Sequence, residues 1–352
     1  MEKVYIHVGG HKTGSSSIQR TFFNYDDGNL VYAPFDGPNH SPHLWTLFQH
    51  NYLDFHLWKT MGLSSNEIEN RRQKYNDILV GALRRTDRHS LLLSAEDICH
   101  FTRDELVNLV QLIRKYCENI VFICYVRDPL SYLASEFQQR VRIGSTSLDT
   151  YSPYPITLLK RLLELVDKDT IIVRKYSYSD LEGGDACTDI ARIVDAKLEN
   201  YTPIQLNSSL KESTIKCLYV LASSNPLILG DTVLFKAWQT LIKKLETLFS
   251  DDRKLKPSFF TERAKNLDLD FLHDTFGIVF NDSSDQDSNE NLELWLSEKG
   301  DDRIIDTLLK ELQTCGLESA YDRDLVKIIN RLFYEYMARA MCKANPQLSK
   351  GD

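Results

Sequence analysis

VYIHV, Val4 to Val8, is a short β-rich run, and the chain continues directly into GGHKTGSSSIQ, Gly9 to Gln19. Strand, glycine-rich turn, helix-competent segment: this order constrains the fold more than any other feature of the chain. A turn of this kind presents backbone N–H groups at the positive end of a helix, which favours an anion. Ser15 and Ser16 are good N-cap types, and Ile18, Phe22 and Phe23 fall on one helical face.

The same alternation continues downstream. Leu91 to Ala95 and Ile120 to Val126 read as buried strands, and Thr170 to Tyr176 as a strand. Helical patterns cover residues 66–85, 105–117, 129–141 and 156–166, with Pro129 suited to a first helical turn. Strands that are apolar throughout and alternate with helices predict a mainly parallel sheet covered on both faces. Beyond residue 210 the strand signals fade, and helices are expected near residues 212–223, 232–249 and 325–340. In the last of these Leu325, Ile328, Ile329, Leu332, Phe333 and Tyr336 form a helical stripe that reads as core packing. The expected fold class is therefore α/β: a P-loop-like core over residues 1–210, and a helical C-terminal extension over residues 211–352 packed on it as part of the same domain. NDSSDQDSNEN, Asn281 to Asn291, reads as a solvated loop.

Composition removes several function classes. The chain has 352 residues, 42% of them hydrophobic, enough for a substantial core. Its net charge of −8, without a basic block, argues against general nucleic-acid binding. The seven cysteines include no C-x-x-C pair, which points to free thiols in a reducing compartment rather than a disulfide framework or a zinc site. The N-terminus lacks the pattern of a signal peptide, and no apolar run is long enough to span a bilayer. A soluble, cytoplasmic protein is expected.

The loop is not a Walker A sequence. Gly9 and Gly14 have the Walker spacing, but Ser15 stands where the lysine belongs, and Lys12 lies inside the loop. That placement suits a shorter polyphosphate-like group with the transferred moiety near Lys12. A second constellation is VFICYVRDPLSYLASEFQQ, Val121 to Gln139. Arg127 ends a buried strand, and Ser135 follows eight residues later on a helix. An arginine at a strand's carboxyl end and a serine on the next helix can converge on one phosphate.

Together these stretches resemble the sulfotransferase family, whose members use 3′-phosphoadenosine 5′-phosphosulfate (PAPS). HVGGHKTGSSSIQ is similar to the family's 5′-phosphosulfate loop, and YVRDPLSYLASEF to its 3′-phosphate motif. The wording of the first motif looks most like bacterial members thought to act on carbohydrates or related cell-surface molecules. The resemblance covers roughly residues 3–210. It implies that Lys12, Gly14, Ser15, Ser16 and Ser17 contact the 5′-phosphosulfate, with His11 and Thr13 beside them in the same loop, and that Arg127 and Ser135 contact the 3′-phosphate. It implies PAPS as cosubstrate, adenosine 3′,5′-bisphosphate as product and a carbohydrate acceptor. No metal is expected, because the loop lacks the Walker lysine–hydroxyl pair, and composition leaves no nucleic acid and no membrane insertion among the expected partners. Two features depart from the pattern of animal cytosolic members. Their adenine-stacking tryptophan is replaced by Ser17, and their R-K-G loop is absent, NSSL (Asn207 to Leu210) being its only stand-in. Tyr176 is the candidate adenine neighbour.

Sulfuryl transfer needs a base for the acceptor hydroxyl. Glu96 in LLLSAED, just past a strand's carboxyl end, is the first candidate; its alternative is an acid opening an exposed helix, together with Asp97. His40 and then His43, in GPNHSPHLW, follow it. His7 is expected to be structural. Gln138, Gln139, Arg140 and Arg142 read as a solvated helix end. Two rival functions remain: a nucleotide kinase or NTPase with a degenerate loop, for which LLLSAED passes as a Walker B strand, and a non-catalytic nucleotide-binding protein.

Overall fold

The computed structural model describes residues 1–149, 153–198, 209–225, 231–280, 291–298, 301–317 and 323–344. The run 281–290 and the first half of NSSL lie outside the described residues. The chain forms two compact units. One comprises residues 1–132, 151–207 and 265–281, the other residues 133–150, 208–264 and 282–352.

The first unit is built on a parallel sheet of five strands in the order β2-β3-β1-β4-β5. These are β1 (Lys3–His7), β2 (Leu30–Tyr32), β3 (Ser90–Ser94), β4 (Ile120–Val126) and β5 (Ile171–Lys175). Pairing runs from Lys3↔Ser90 to His7↔Ser94 between β1 and β3, and from Val4↔Ile120 to His7↔Ile123 between β1 and β4. Tyr5, Leu92, Ile123 and Tyr125 share one face and pack with Ile18 and Phe22 of α1 (Ser15–Phe22). Residues of the opposite parity, Val4, Ile6, Leu91, Leu93, Phe122 and Cys124, are also fully buried. Burial on both faces is why these strands carry no polar alternation. The expected α/β class with a P-loop-like, mainly parallel sheet is what the chain forms. β2 escaped the sequence reading because it is three residues long, too short for a periodic signal.

The helices of this unit are α2 (Ser41–Phe48), α3 (His56–Met61), α4 (Ser65–Leu83), α5 (Arg103–Arg114), the start of α6 (Pro129–Arg142), α7 (Ile156–Leu163) and α8 (Ala186–Ile193). Ser64 with Glu67, and Thr102 with Glu105, form capping boxes that fix where α4 and α5 begin. Asp128 accepts from the Ser131 amide at 2.8 Å and so caps α6. It is a helix cap, not half of a surface ion pair with Arg127. On β5, Arg174 binds Asp189 of α8, which also accepts from the Tyr125 hydroxyl at 2.7 Å, so one buried carboxylate ties β4, β5 and α8 together.

The second unit is helical, with α9 (Glu212–Ser224), α10 (Thr232–Leu248), α11 (Thr261–Ala264), α13 (Leu292–Ser297), α14 (Asp302–Thr314) and α15 (Leu325–Ala344); α12 (Leu269–Phe276) belongs to the first unit. The α15 stripe is buried from Leu325 to Tyr336, as its spacing implied. Trp238 is buried beneath it and donates to the Arg142 carbonyl at 2.7 Å. Of the residues at the end of α6, Gln139 is exposed as expected, but its neighbours are not solvated. Arg140 is 6% exposed, Gln138 accepts from the Leu210 amide, and Arg142 pairs with Glu246. All seven cysteines are free thiols. No helix among the described residues is long and apolar enough to cross a membrane.

Candidate functional site

β1 is the centre of the sheet, so the loop that leaves it lies between the carboxyl ends of β3 and β4. In an open parallel sheet this is where ligands are held. The loop is tight and left-handed at three places: Gly9 (φ 62°), Lys12 (φ 66°) and Gly14 (φ 81°). Lys12 is not a glycine, and a left-handed conformation there costs of order 1 kcal/mol. The surroundings hold it in place. The Arg127 guanidinium donates to the Lys12 carbonyl at 3.1 Å, and the Arg127 carbonyl in turn accepts from the Tyr154 hydroxyl at 2.6 Å. Within the loop the Gly10 amide donates to Thr13 Oγ1 at 3.2 Å, and that hydroxyl donates back to the Gly10 carbonyl. Thr13 is therefore a brace of the loop.

Two glycines are required by space. A Cβ on Gly10 would stand 2.5 Å from the Tyr125 carbonyl oxygen. One on Gly9 would meet Ser15 Oγ at 2.9 Å and Glu96 Cβ at 3.0 Å. Gly14 is the residue preceding α1, and no side chain caps the helix. Ser15 is thus the first helical residue and not the N-cap that its type led us to expect. The opening amides of α1 are left facing the loop, a ready anion site. Ser16 and Ser17 follow on the first turn; Ser17 donates its amide to the Gly14 carbonyl.

On the β3 side, Glu96 opens a short 3₁₀ turn, Glu96–His100, instead of an exposed helix. Its carboxylate is 3.7 Å from His11 Nδ1, and Asp97 lies 3.7 Å from His11 Nε2. Both carboxylate side chains keep about a fifth of their exposure. Burial raises the Asp97 pKa, with Glu96 adding to the rise and His11 opposing it. On the β4 side, burial lowers the Arg127 pKa, against the opposing influence of Tyr176 and Asp128. Tyr176 follows β5, and its ring edge and hydroxyl border the Gly14 position, 3.3–3.4 Å from where a Cβ would stand. Ser135 lies on α6 and is half-buried; it belongs to the second unit, whereas Arg127 belongs to the first.

The histidines are placed differently. His40 is fully buried, lies 4.2 Å from the Tyr32 ring, and accepts from the Ser94 amide at 3.1 Å. Desolvation drives its pKa well below the usual value, and His43 adds to the fall. His43 lies within α2, stacks on Phe35 at 4.3 Å and binds Asp36 at 2.8 Å. Its pKa is also lowered, by burial acting against Asp36. His7 is buried on Ser94 Oγ at 2.8 Å, with its pKa down to about 3 through desolvation. The segment carrying His40 is itself anchored beside the loop: Asn39 accepts from Gln19 of α1, and Ser41 Oγ accepts from the Asp97 amide at 3.1 Å.

Gly10 and Tyr154 were not singled out by sequence motif, and Asp97 was read only as a companion of Glu96. Gly10 is in plain view in GGHKTG; the other two become meaningful only once β3, β1 and β4 are side by side.

No protein-family model matches this chain, and no curated protein matches it. Among solved structures, a sulfotransferase from Alicyclobacillus acidocaldarius aligns at 14% identity and a TM-score of 0.37, over 71% of this chain and 96% of its own. The sulfotransferase domain of the Synechococcus PCC 7002 olefin synthase aligns at 15% and 0.35, over 72% and 95%. A structure from the PezAT toxin-antitoxin system of Streptococcus pneumoniae aligns at 16% and 0.30, over 70% and 86%. Likenesses this distant carry no argument about activity.

Proposed function

We propose that the chain transfers the sulfuryl group of PAPS to a hydroxyl acceptor, a saccharide or glycoconjugate. One observation carries this reading: the lysine-bearing anion loop and a carboxylate, Glu96, meet at Gly9. An anion site alone suits any nucleotide. An anion site with a partly accessible carboxylate at its edge suits transfer to a hydroxyl.

In this reading the α1 amides, with Ser15, Ser16 and Ser17, hold the 5′-phosphosulfate. Arg127 holds the 3′-phosphate, and Tyr176 borders the adenine. The acceptor oxygen forms a bond to sulfur as the bond from sulfur to the bridging oxygen breaks. That oxygen leaves with the electron pair, and Lys12 and the helix N-terminus stabilise its charge. The acceptor proton passes to Glu96. His40 and His43 are buried and neutral, and they support the wall beside the loop.

Thermal shift tests the donor site. Adenosine 3′,5′-bisphosphate, AMP and Mg·ATP are compared at equal concentration. A ligand at a hundred times its Kd stabilises the native state by about 2.7 kcal/mol, so the bisphosphate is expected to raise Tm by several degrees where AMP does not. Arg127→Ala should reduce that shift. A shift with Mg·ATP alone would overturn the reading in favour of a kinase. A bisphosphate shift with no sulfated product from any acceptor screen would leave a nucleotide-binding protein without this activity.

A further inference from the structure

His11, Cys99 and His100 are brought together by the sheet. β1 and β3 are in register up to His7↔Ser94, so the segments leaving them run side by side. His11 lies in the loop after β1; Cys99 and His100 end the 3₁₀ turn after β3. One ligand atom from each of the three lies within 4.8 Å of the others. The two imidazole rings are 6.1 Å apart, centre to centre, and cross at 60°. Cys99 is buried, and both histidines are partly accessible, so an ion has a way in.

We propose that His11, Cys99 and His100 form a binding site for a thiolate- and imidazole-seeking divalent cation, zinc foremost, with Asp97 as the supporting carboxylate. The donor set is the argument. One sulfur and two imidazoles select zinc or copper over magnesium or calcium. Zinc holds nitrogen and sulfur ligands at about 2.0–2.3 Å, hence roughly 3.5 Å from one another in a tetrahedron, so side-chain rotations of about an ångström close the site. Histidine ligands are commonly backed by a carboxylate, and here Asp97 is 3.7 Å from the His11 ring. Binding replaces the thiol S–H bond with a sulfur–metal bond and releases one proton to solvent. The bound ion clips the loop after β1 to the turn that bears Glu96. This is independent of the sulfuryl-transfer proposal, since it concerns metal affinity and not turnover.

The test uses full-length protein stripped with a chelator and titrated with Co²⁺, followed by displacement with Zn²⁺. The expected result is one Co²⁺ per chain with a thiolate-to-cobalt charge-transfer band, and a rise in Tm with Zn²⁺ that Mg²⁺ does not produce. Cys99→Ser should abolish the band. His100→Ala, at a partly accessible ring, tests the site without opening the core and should weaken binding. Asp97→Asn should weaken it by roughly 10- to 100-fold. Absence of the charge-transfer band overturns the proposal, because imidazoles elsewhere on the chain bind cobalt without it. Unchanged affinity in His100→Ala and Asp97→Asn overturns it equally.

Discussion

Two places beside β3 hold ionisable side chains in opposite ways. At its carboxyl end Glu96 and Asp97 face His11 and keep a fifth of their exposure. In the wall beside β3, His40 and His43 are sealed among Tyr32, Phe35 and Tyr75, with one ring nitrogen of each bonded to the Ser94 amide and Asp36. The first group can exchange protons with a bound molecule. The second is held neutral by burial, with one ring nitrogen of each histidine bonded to the fold. In the proposed reading, solvent access rather than residue type distinguishes the candidate bases.

The largest effect expected from this contrast is at Glu96. Glu96→Gln keeps the shape and removes the base, so transfer should fall about 10²- to 10⁴-fold with donor affinity retained. Steady-state kinetics and the bisphosphate thermal shift, measured on the same protein, separate the two. A drop of less than tenfold would return the role to another group. Lys12→Ala is next, with a loss on the order of 10²- to 10³-fold, the usual cost of removing one donor to a developing charge. Here the shift should shrink as well, because the lysine also contacts the ground state.

Much of this was legible in the sequence, for identifiable reasons. β1, β3 and β4 are buried on both faces, and continuous apolar runs betray such strands; β5, at the sheet edge, is only partly buried and shows itself by its β-branched start. The loop announces itself through Gly9, Gly14 and Lys12. What stayed hidden depends on pairing. His40 in GPNHSPHLW has the look of an accessible loop histidine, and only the return of that segment onto β3 shows it to be sealed. Arg140 has the look of a helix-end cation and is buried. Cys99 and His100 lie far from His11 in the chain, so no spacing motif joins them. A strand register is what brings them into reach.

His43 sharpens the other half of the contrast. His43→Leu deletes the bond to Asp36 from within an aromatic cage, where Phe35 lies at 4.3 Å and Tyr75 at 4.5 Å. The expected cost is about 1–3 kcal/mol of stability, read by denaturant unfolding, with turnover per folded molecule unchanged. Loss of turnover on the scale of Glu96→Gln would merge the two regions and revive a histidine base.

The smallest effect per step is the pH dependence of the sealed region. His7 has a native pKa of about 3 against 6.5 for the free side chain, and His40 and His43 are shifted in the same direction. Between those limits the unfolded chain binds a proton that the native chain refuses. Stability therefore falls as pH falls below 6.5, by up to about 1.4 kcal/mol per pH unit for each such histidine, and the contribution vanishes above that pH. Burial causes the shift, so the slope measures how tightly the wall excludes water. Tm recorded from about pH 8 to about pH 5 should hold steady and then decline through the histidine range, ahead of the carboxylates, since Asp36, for one, is held down to about 2 by Lys74 and His43 against its burial. A flat profile across that range would mean that the histidines take up protons without unfolding. The wall would then be open to water, and the distinction between it and the Glu96 edge would be lost.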